Sequence, residues 1–321
     1  MILTLSIITR KCLMIECLML IHKIQIWNGG ILKSGMIREI LLMNLDKLVL
    51  VLRVVVRLLE ASVNGPPEQV KLKRASTMLI ALIEKAEYFI YIESQFFISG
   101  LSGDDMIRNR VSEALYRRIM RAYNEKKSFR VIIVIPLLPG FQGGIDDGGA
   151  ASVRAIMHWQ YRTICRGPHS ILHNLHELLG SRVHDYISFY GLRNYGRLSD
   201  GGPVATSQVY VHSKIMIIDD CISLIGSANI NDRSLLGSRD SEIGVVIEDK
   251  ELTDSYMDGK PWKAGKFSLT LRLALWSEHL GLPAGEVNQI MDPIVDSTYK
   301  DIWMTIAKVI RKIKGVCLLL I

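Results

Sequence analysis

Two side chains able to do nucleophilic or acid–base work, His212 and Lys214, stand two positions apart in segment 208–219 (QVYVHSKIMIID). A neutral imidazole can attack phosphorus or move a proton near neutral pH. An ammonium beside it can hold the negative charge of a phosphoryl group. Beyond the acidic pair Asp219-Asp220, the run 221–225 (CISLI) leads into Gly226-Ser227-Ala228-Asn229. Gly226 allows close backbone approach, Ser227 brings a hydroxyl and Asn229 an amide donor. Glu242 begins the apolar run 241–248 (SEIGVVIE), where a carboxylate could fix the tautomer of His212 and raise its pKa. The set suits phosphoryl transfer without a metal.

These groups need a frame. Read as a strand, 208–219 puts Tyr210, His212, Lys214 and Met216 on one face, with Val209, Val211, Ile215 and Ile217 on the other. Burying His and Lys together on an inner face costs several kcal/mol unless something compensates, and a bound phosphate would. Asp219-Asp220 supplies a turn, 221–225 returns as a second strand and 241–248 makes a third. Upstream, helical spacing over 68–85 and 105–127 alternates with strand-like runs at 87–93 (EYFIYIE) and 130–135 (RVIIVI). Helices are expected at 150–164 and around 170–179, with a strand at 186–190. This alternation predicts an α/β sandwich with a central, largely buried sheet flanked by helices. No internal repeat is visible.

Composition narrows the class. The chain has 321 residues, 49% of them apolar, and Lys+Arg minus Asp+Glu is 39 − 32 = +7. That excludes a disordered, collagen-like or disulfide-knot chain and favours an anionic partner. The five cysteines are odd in number and scattered, which points to a reducing compartment. The head, 1–65, is dense in apolar and basic residues and has no assigned role. Its run 48–59 (LVLVLRVVVRLL) is interrupted by Arg53 and Arg57 and is shorter than the ~20 residues of a membrane span. The opening lacks a basic leader region and a small-residue cleavage site, so it does not read as a signal peptide. Asn64-Gly65-Pro66-Pro67 marks a boundary.

The pattern H-x-K-x4-D, six residues and then G-S-x-N, is met in full by His212, Lys214, Asp219, Gly226, Ser227 and Asn229. It resembles the HKD signature of the phospholipase D superfamily. The flanks 91–99 (YIESQFFIS), 134–141 (VIPLLPGF), 161–167 (YRTICRG), 186–193 (YISFYGLR) and 226–242 (GSANINDRSLLGSRDSE) are similar to the carboxy-terminal half of the eukaryotic phosphatidylcholine-hydrolysing enzymes that carry PX and PH domains. Ser94 departs from that family, which usually has Asn there. The resemblance implies a phospholipase D-type α/β sandwich, a central mixed β-sheet flanked by helices, with two HKD motifs facing each other across a pseudo-twofold axis. One His forms a phosphohistidine, while the other protonates the leaving choline and then activates water. His212, in the second motif, is thereby implied as general acid/base. Lys214, Ser227 and Asn229, beside Gly226, would bind phosphate; Asp219 would order the hairpin; Glu242 would orient His212.

The resemblance implies no required cofactor and allows phosphoinositide activation and small GTPase partners. It implies phosphatidylcholine and anionic phospholipid as membrane partners, a cytoplasmic protein peripheral on intracellular or plasma membranes, and argues against nucleic acid. His212 is the one His with a Lys two positions later. The chain therefore reads as a partial family member (a fragment, a splice form or a gene model with a wrong start), with 66–305 as the second HKD catalytic domain. The missing half of the site would come from a first-motif half or, in a homodimer, from a second copy. A dimeric single-motif phosphodiesterase or nuclease, or a non-catalytic membrane-binding fragment, are the alternatives.

Other clusters read more plainly. His169, His173 and His176 have helical spacing but no completing zinc motif, so a solvated helix face is expected. The loop 139–149 (PGFQGGIDDGG) lacks the Lys-Ser/Thr of a phosphate loop and reads as a rim loop. The basic-apolar tail 306–321 suits either an anionic membrane or a helix packed on the body. Trp262, Trp276 and Trp303 read as core or interface anchors.

Overall fold

A computed structural model of the protein describes residues 54–61, 69–141, 150–197, 199–237, 239–240, 242–312 and 318–320. The head up to residue 53, the loop residues 142–149 and the tail residues 313–317 and 321 lie outside the described residues, so the readings made for them stop there.

The short apolar runs pair edge to edge because each is bounded by turn residues and alternates its side chains between two faces. The strands are β1 (Val54–Ala61), β2 (Phe89–Glu93), β3 (Arg130–Val134), β4 (Ile187–Arg197), β5 (Val204–Gln208), β6 (Ile215–Ile218), β7 (Ile222–Gly226) and β8 (Glu242–Asp249). They lie in the order β1-β8-β7-β6-β2-β3-β4, with β5 against the far half of β4 and the short strand Leu318–Leu320 on the β4 edge. β2, β3 and β4 run parallel; the neighbours on the β6 side are antiparallel. The expected mixed sheet is therefore present. A separate hairpin pairs β9 (Leu252–Met257) with β10 (Lys260–Gly265).

Helices cover both faces. Along β2, Ile90 and Ile92 face a core shared with α1 (Gln69–Lys85), α2 (Val111–Asn124), α3 (Ala151–Ile164) and α4 (Ile171–Leu179). Phe89 and Tyr91 face the opposite core, built with Leu271, Trp276 and Leu280 of a helix after β10, and with Tyr299, Trp303 and Ala307. On α2 the residues Val111, Ala114, Leu115, Arg118, Ile119 and Ala122 are buried, one stripe at the 3.6 period. The single turn α5 is Asp232–Leu235, the post-β10 helix α6 is Lys266–Leu280, and α7 is Thr305–Lys312. Ala307 is fully buried, so the start of the tail packs on the body. Trp276 and Trp303 are core anchors, with ring centroids 4.9 Å apart. No helix among the described residues is long and apolar enough to cross a membrane.

Three local expectations are corrected. The helix placed at 105–127 begins only at Val111, because Asp232 accepts the backbone N–H groups of Arg108 and Asn109 at 2.9 and 2.7 Å and pins that stretch open. The strand placed at 186–190 continues to Arg197, because β5 pairs residue for residue with its second half. The strand placed at 208–219 is two pieces: β5 ends at Gln208 and β6 starts at Ile215, with 209–214 off the sheet. There the N–H of Val211 donates to the carbonyl of Val209 at 3.0 Å, a turn rather than a ladder bond.

The β6–β7 turn is a buried polar feature. Asp219 and Asp220 take φ of 50° and 54°, the pair of left-handed residues that a tight hairpin needs, and Asp tolerates it better than most residues. Arg272 of α6 grips Asp220 with Nε and Nη2, both at 2.7 Å, and donates to the carbonyls of Ile290 and Met291. Both charged side chains are fully buried. Removing one member strands a buried charge, so Arg272→Met should destabilise the fold by about 3–5 kcal/mol. Urea midpoints of the two proteins check this; a change under about 1 kcal/mol would contradict it.

Candidate active site

The site sits at the open end of the β6–β7 hairpin. Gly226, the last residue of β7, donates its N–H to the carbonyl of Lys214 at 3.0 Å and lies against β8. A Cβ on Gly226 would come 2.8 Å from the Ile243 carbonyl and 2.9 Å from Gly244 Cα, so only glycine lets the strands meet here. The next residues, Ser227 and Asn229, leave the sheet beside Lys214.

At the hairpin's closed end, the Asp219 carboxylate accepts the backbone N–H groups of Glu87, Tyr88 and Phe89 at 2.7, 2.8 and 2.8 Å. Its carbonyl accepts from Trp262 Nε1 at 2.9 Å. Burial pushes its carboxyl up to about 6, against the pull of the three amides. The third letter of the signature thus anchors the hairpin to the start of β2 and touches none of the other motif side chains.

His212 and Lys214 do not share the face of a strand. Because 209–214 leave the sheet, His212 is exposed while Lys214 is 5% exposed. The ring of His212 lies beside that of Tyr210, centroids 5.9 Å apart. Lys214 Nζ donates to the carbonyl of His212 at 2.5 Å and to Gln95 Oε1 at 3.1 Å. Behind it is a cavity of about 50 Å³ walled by apolar side chains such as Leu79, Val111 and Leu224. That desolvation pushes the Lys214 ammonium down to about 8; the Glu242 charge pulls the other way.

Glu242, read as the orienter of His212, is engaged elsewhere. One of its oxygens accepts from Ser227 Oγ and the other from Ser234 Oγ at 2.6 Å. Ser227 Oγ also accepts the N–H of Ile243 at 3.0 Å, so this hydroxyl ties the G-S-x-N turn to β8. Asn229 Nδ2 donates to Gln95 Oε1 at 3.3 Å, and its Oδ1 is buried without a hydrogen-bond partner. His173 and His176 are exposed on α4, His173 facing Glu177 at 3.3 Å, as a solvated face requires.

Two residues of β2's end, passed over in the sequence except as letters of a motif, hold the loop. Glu93, 4% exposed, accepts from Ser213 Oγ, from Tyr91 OH at 2.6 Å and, at 2.8 Å, faces Nε2 of His279 on α6. Burial works to raise its pKa, yet His279, Ser213 and Tyr91 together hold it below its ordinary value. Ser213 stands between His212 and Lys214, so this carboxylate clamps the middle of the H-x-K triplet. A carboxylate closing an otherwise apolar strand (FIYIE) was the available signal. Gln95 follows two residues on. Ser94, the departure from the family, donates to the carbonyl of Phe96 at 2.7 Å and contacts neither Lys214 nor Asn229 by hydrogen bond.

Known proteins carry the same stretch. The family model described as phospholipase D matches residues 68–310. Phospholipase D zeta 1 of Arabidopsis thaliana is 77% identical over 228 residues, 71% of this chain and 21% of that protein. Phospholipase D1 of Homo sapiens is 46% identical over 228 residues, again 71% of this chain and 21% of that protein. The chain thus spans about a fifth of the length of these relatives. Nuc from Salmonella typhimurium, a solved phospholipase D family member, is 17% identical, with 70% of this chain and 92% of that chain covered at a TM-score of 0.35.

The anchoring and chemical roles separate by stability. Asp219→Ala strips three backbone donors of their acceptor and should cost on the order of 3 kcal/mol. His212→Ala, at an exposed position, should stay within about 0.5 kcal/mol of the parent. Urea unfolding of both variants checks the contrast; equal losses would show that the two residues do not divide the work this way.

Proposed function

The chain belongs to the phospholipase D family, and from that premise we propose that it is one catalytic half of an enzyme that hydrolyses phosphatidylcholine to phosphatidate and choline. The observation that carries this is Lys214: a buried ammonium with neutral acceptors, two positions from the exposed His212, with Asn229 beside it on the same Gln95 oxygen. A desolvated cation next to an amide donor offers a dianionic or monoanionic phosphoryl group more than either would in water.

In the proposed reaction the imidazole of a partner HKD motif attacks phosphorus. The P–O bond to choline breaks as His212, protonated, gives its proton to the leaving oxygen. Neutral His212 then takes a proton from water, the hydroxide attacks phosphorus, the P–N bond breaks, and phosphatidate leaves with both imidazoles restored. Lys214 and Asn229 hold the non-bridging oxygens through both steps. Glu242 acts at a distance, favouring the charged form of Lys214 and bracing the Ser227 turn. The partner motif comes from a first-motif half or from a second copy of this chain. The net charge of +7 suits a cytoplasmic protein working at an anionic membrane surface.

Choline release from phosphatidylcholine vesicles tests the reading. Activity should require the partner half or rise with protein concentration as a dimer forms, and His212→Ala should lower it by about 10³-fold or more. DNA cleavage by the same preparation, with no choline release, would favour the single-motif nuclease instead. The pH dependence has a sign. Lys214 is charged below about 8 and loses its proton above it. Phosphodiester affinity should therefore fall as pH rises through about 8, and Lys214→Arg should move that fall well beyond pH 10. A wild-type limb that does not move in the arginine variant would remove Lys214 from the phosphate site.

A further inference from the structure

Gln95 is 9% exposed and stands just past the end of β2, where its carboxamide meets three residues of the site. Its Oε1 accepts from Lys214 Nζ at 3.1 Å and from Asn229 Nδ2 at 3.3 Å. Its Nε2 donates to Tyr210 OH at 2.6 Å. The ring of Tyr210 packs closely on Gly140, where a Cβ would come 2.5 Å from Cζ, and it lies beside His212.

Counting protons shows what this does. An ammonium has three N–H donors. Lys214 commits one to the His212 carbonyl and one to Gln95, which leaves one. Asn229 has two amide N–H donors and commits one to Gln95. One donor remains on each residue, and both start from groups held on the same oxygen. A neutral oxygen can gather a cation and an amide without cancelling the charge that a phosphoryl group needs. A carboxylate there would cancel it.

We infer that Gln95 is a positioning residue for the phosphate site: its carboxamide oxygen converges the free N–H donors of Lys214 and Asn229, while its amide fixes Tyr210 beside His212. This rests on reading Lys214 and Asn229 as phosphate ligands, and it assigns the substrate's phosphodiester oxygens to the two remaining donors. The buried state of Lys214, which already lowers its affinity for a proton, makes the neutrality of its neighbour matter.

The charged and titratable groups facing Lys214 are Glu93 from β2, Glu242 from β8 and His212 of its own loop, and the test leaves all three in place. Two measurements on the full chain decide the inference. Lysine labelled with ¹³C is titrated by NMR, the Lys214 signal being assigned by its loss in Lys214→Arg. Gln95→Glu keeps the shape and sets a carboxylate on Nζ, so the Lys214 midpoint should rise by about 1 pH unit or more. An unmoved midpoint overturns the inference. Binding of inorganic phosphate is measured by calorimetry, where both Gln95→Glu and Gln95→Leu should weaken it by about tenfold. Tighter or unchanged binding in the leucine variant would show that Gln95 competes with phosphate or does nothing, and overturns the inference too. Absence of phosphate binding in the parent would count against Lys214 as a phosphate ligand, while the titration midpoint still decides whether Gln95 sits on it as argued. Should Gln95→Leu fail to fold, Gln95→Glu carries both measurements.

Discussion

Everything at the site hangs from the acidic turn between β6 and β7. Asp219 takes the backbone N–H groups of Glu87, Tyr88 and Phe89, which lead into β2, and Asp220 is locked by Arg272 of α6. One turn therefore joins the antiparallel hairpin, the parallel half of the sheet and the helix layer on one face. The hairpin is only four to five residues long on each arm, so fixing one end fixes the other to within a side chain's reach. At that other end stand Lys214 and Gly226, hydrogen-bonded to each other. The cost of burying two carboxylates is offset in part by three amides for one and a bidentate guanidinium for the other. A looser turn would leave the chemical groups on a free loop.

The electrostatics of the site follow from where the sheet stops. β6 begins at Ile215, paired with Glu93, and the chain before it turns away. His212 consequently reaches solvent while Lys214 stays inside against an apolar cavity. A buried ammonium holds its charge less firmly and interacts more strongly with whatever anion reaches it. The acids nearby are spent on other duties. Glu93 is shared among Ser213, Tyr91 and His279, and Glu242 between Ser227 and Ser234. Neither forms an ion pair with Lys214, so no carboxylate neutralises its charge directly. The same serines and carboxylates give rigidity: Ser213, between His212 and Lys214, and Ser227, itself a motif residue, are the points at which the loops are tied down.

Much of this was legible from residue order. The apolar runs of β2, β3, β7 and β8 declared themselves by alternation or continuity, and the H-x-K-x4-D and G-S-x-N spacing pointed to the family without any three-dimensional information. That works because strand period and turn chemistry are local, and a hairpin with a fixed number of residues brings its two ends together whatever the rest of the chain does. β5 and the β9–β10 hairpin were missed, since segments such as VATSQ and KPWKAG carry too little hydrophobic signal and form by pairing with a partner strand.

What tertiary structure alone decided is which atoms meet. His279 reaches Glu93 across 186 residues of sequence, and Asp219 reaches Glu87 across 132. No local period encodes such contacts; they come from packing α6 and β6 against β2. The departure of 209–214 from the sheet also depends on the partner strand ending at Glu93, and it separates an exposed His212 from a buried Lys214. Glu242, placed by its sequence neighbours beside His212, is drawn instead to two serine hydroxyls. Residue types and spacing placed the chain in its family and singled out a histidine and a lysine two positions apart. The folded geometry determined which of their neighbours each one meets, because hydrogen bonds are directional and each donor can be used once.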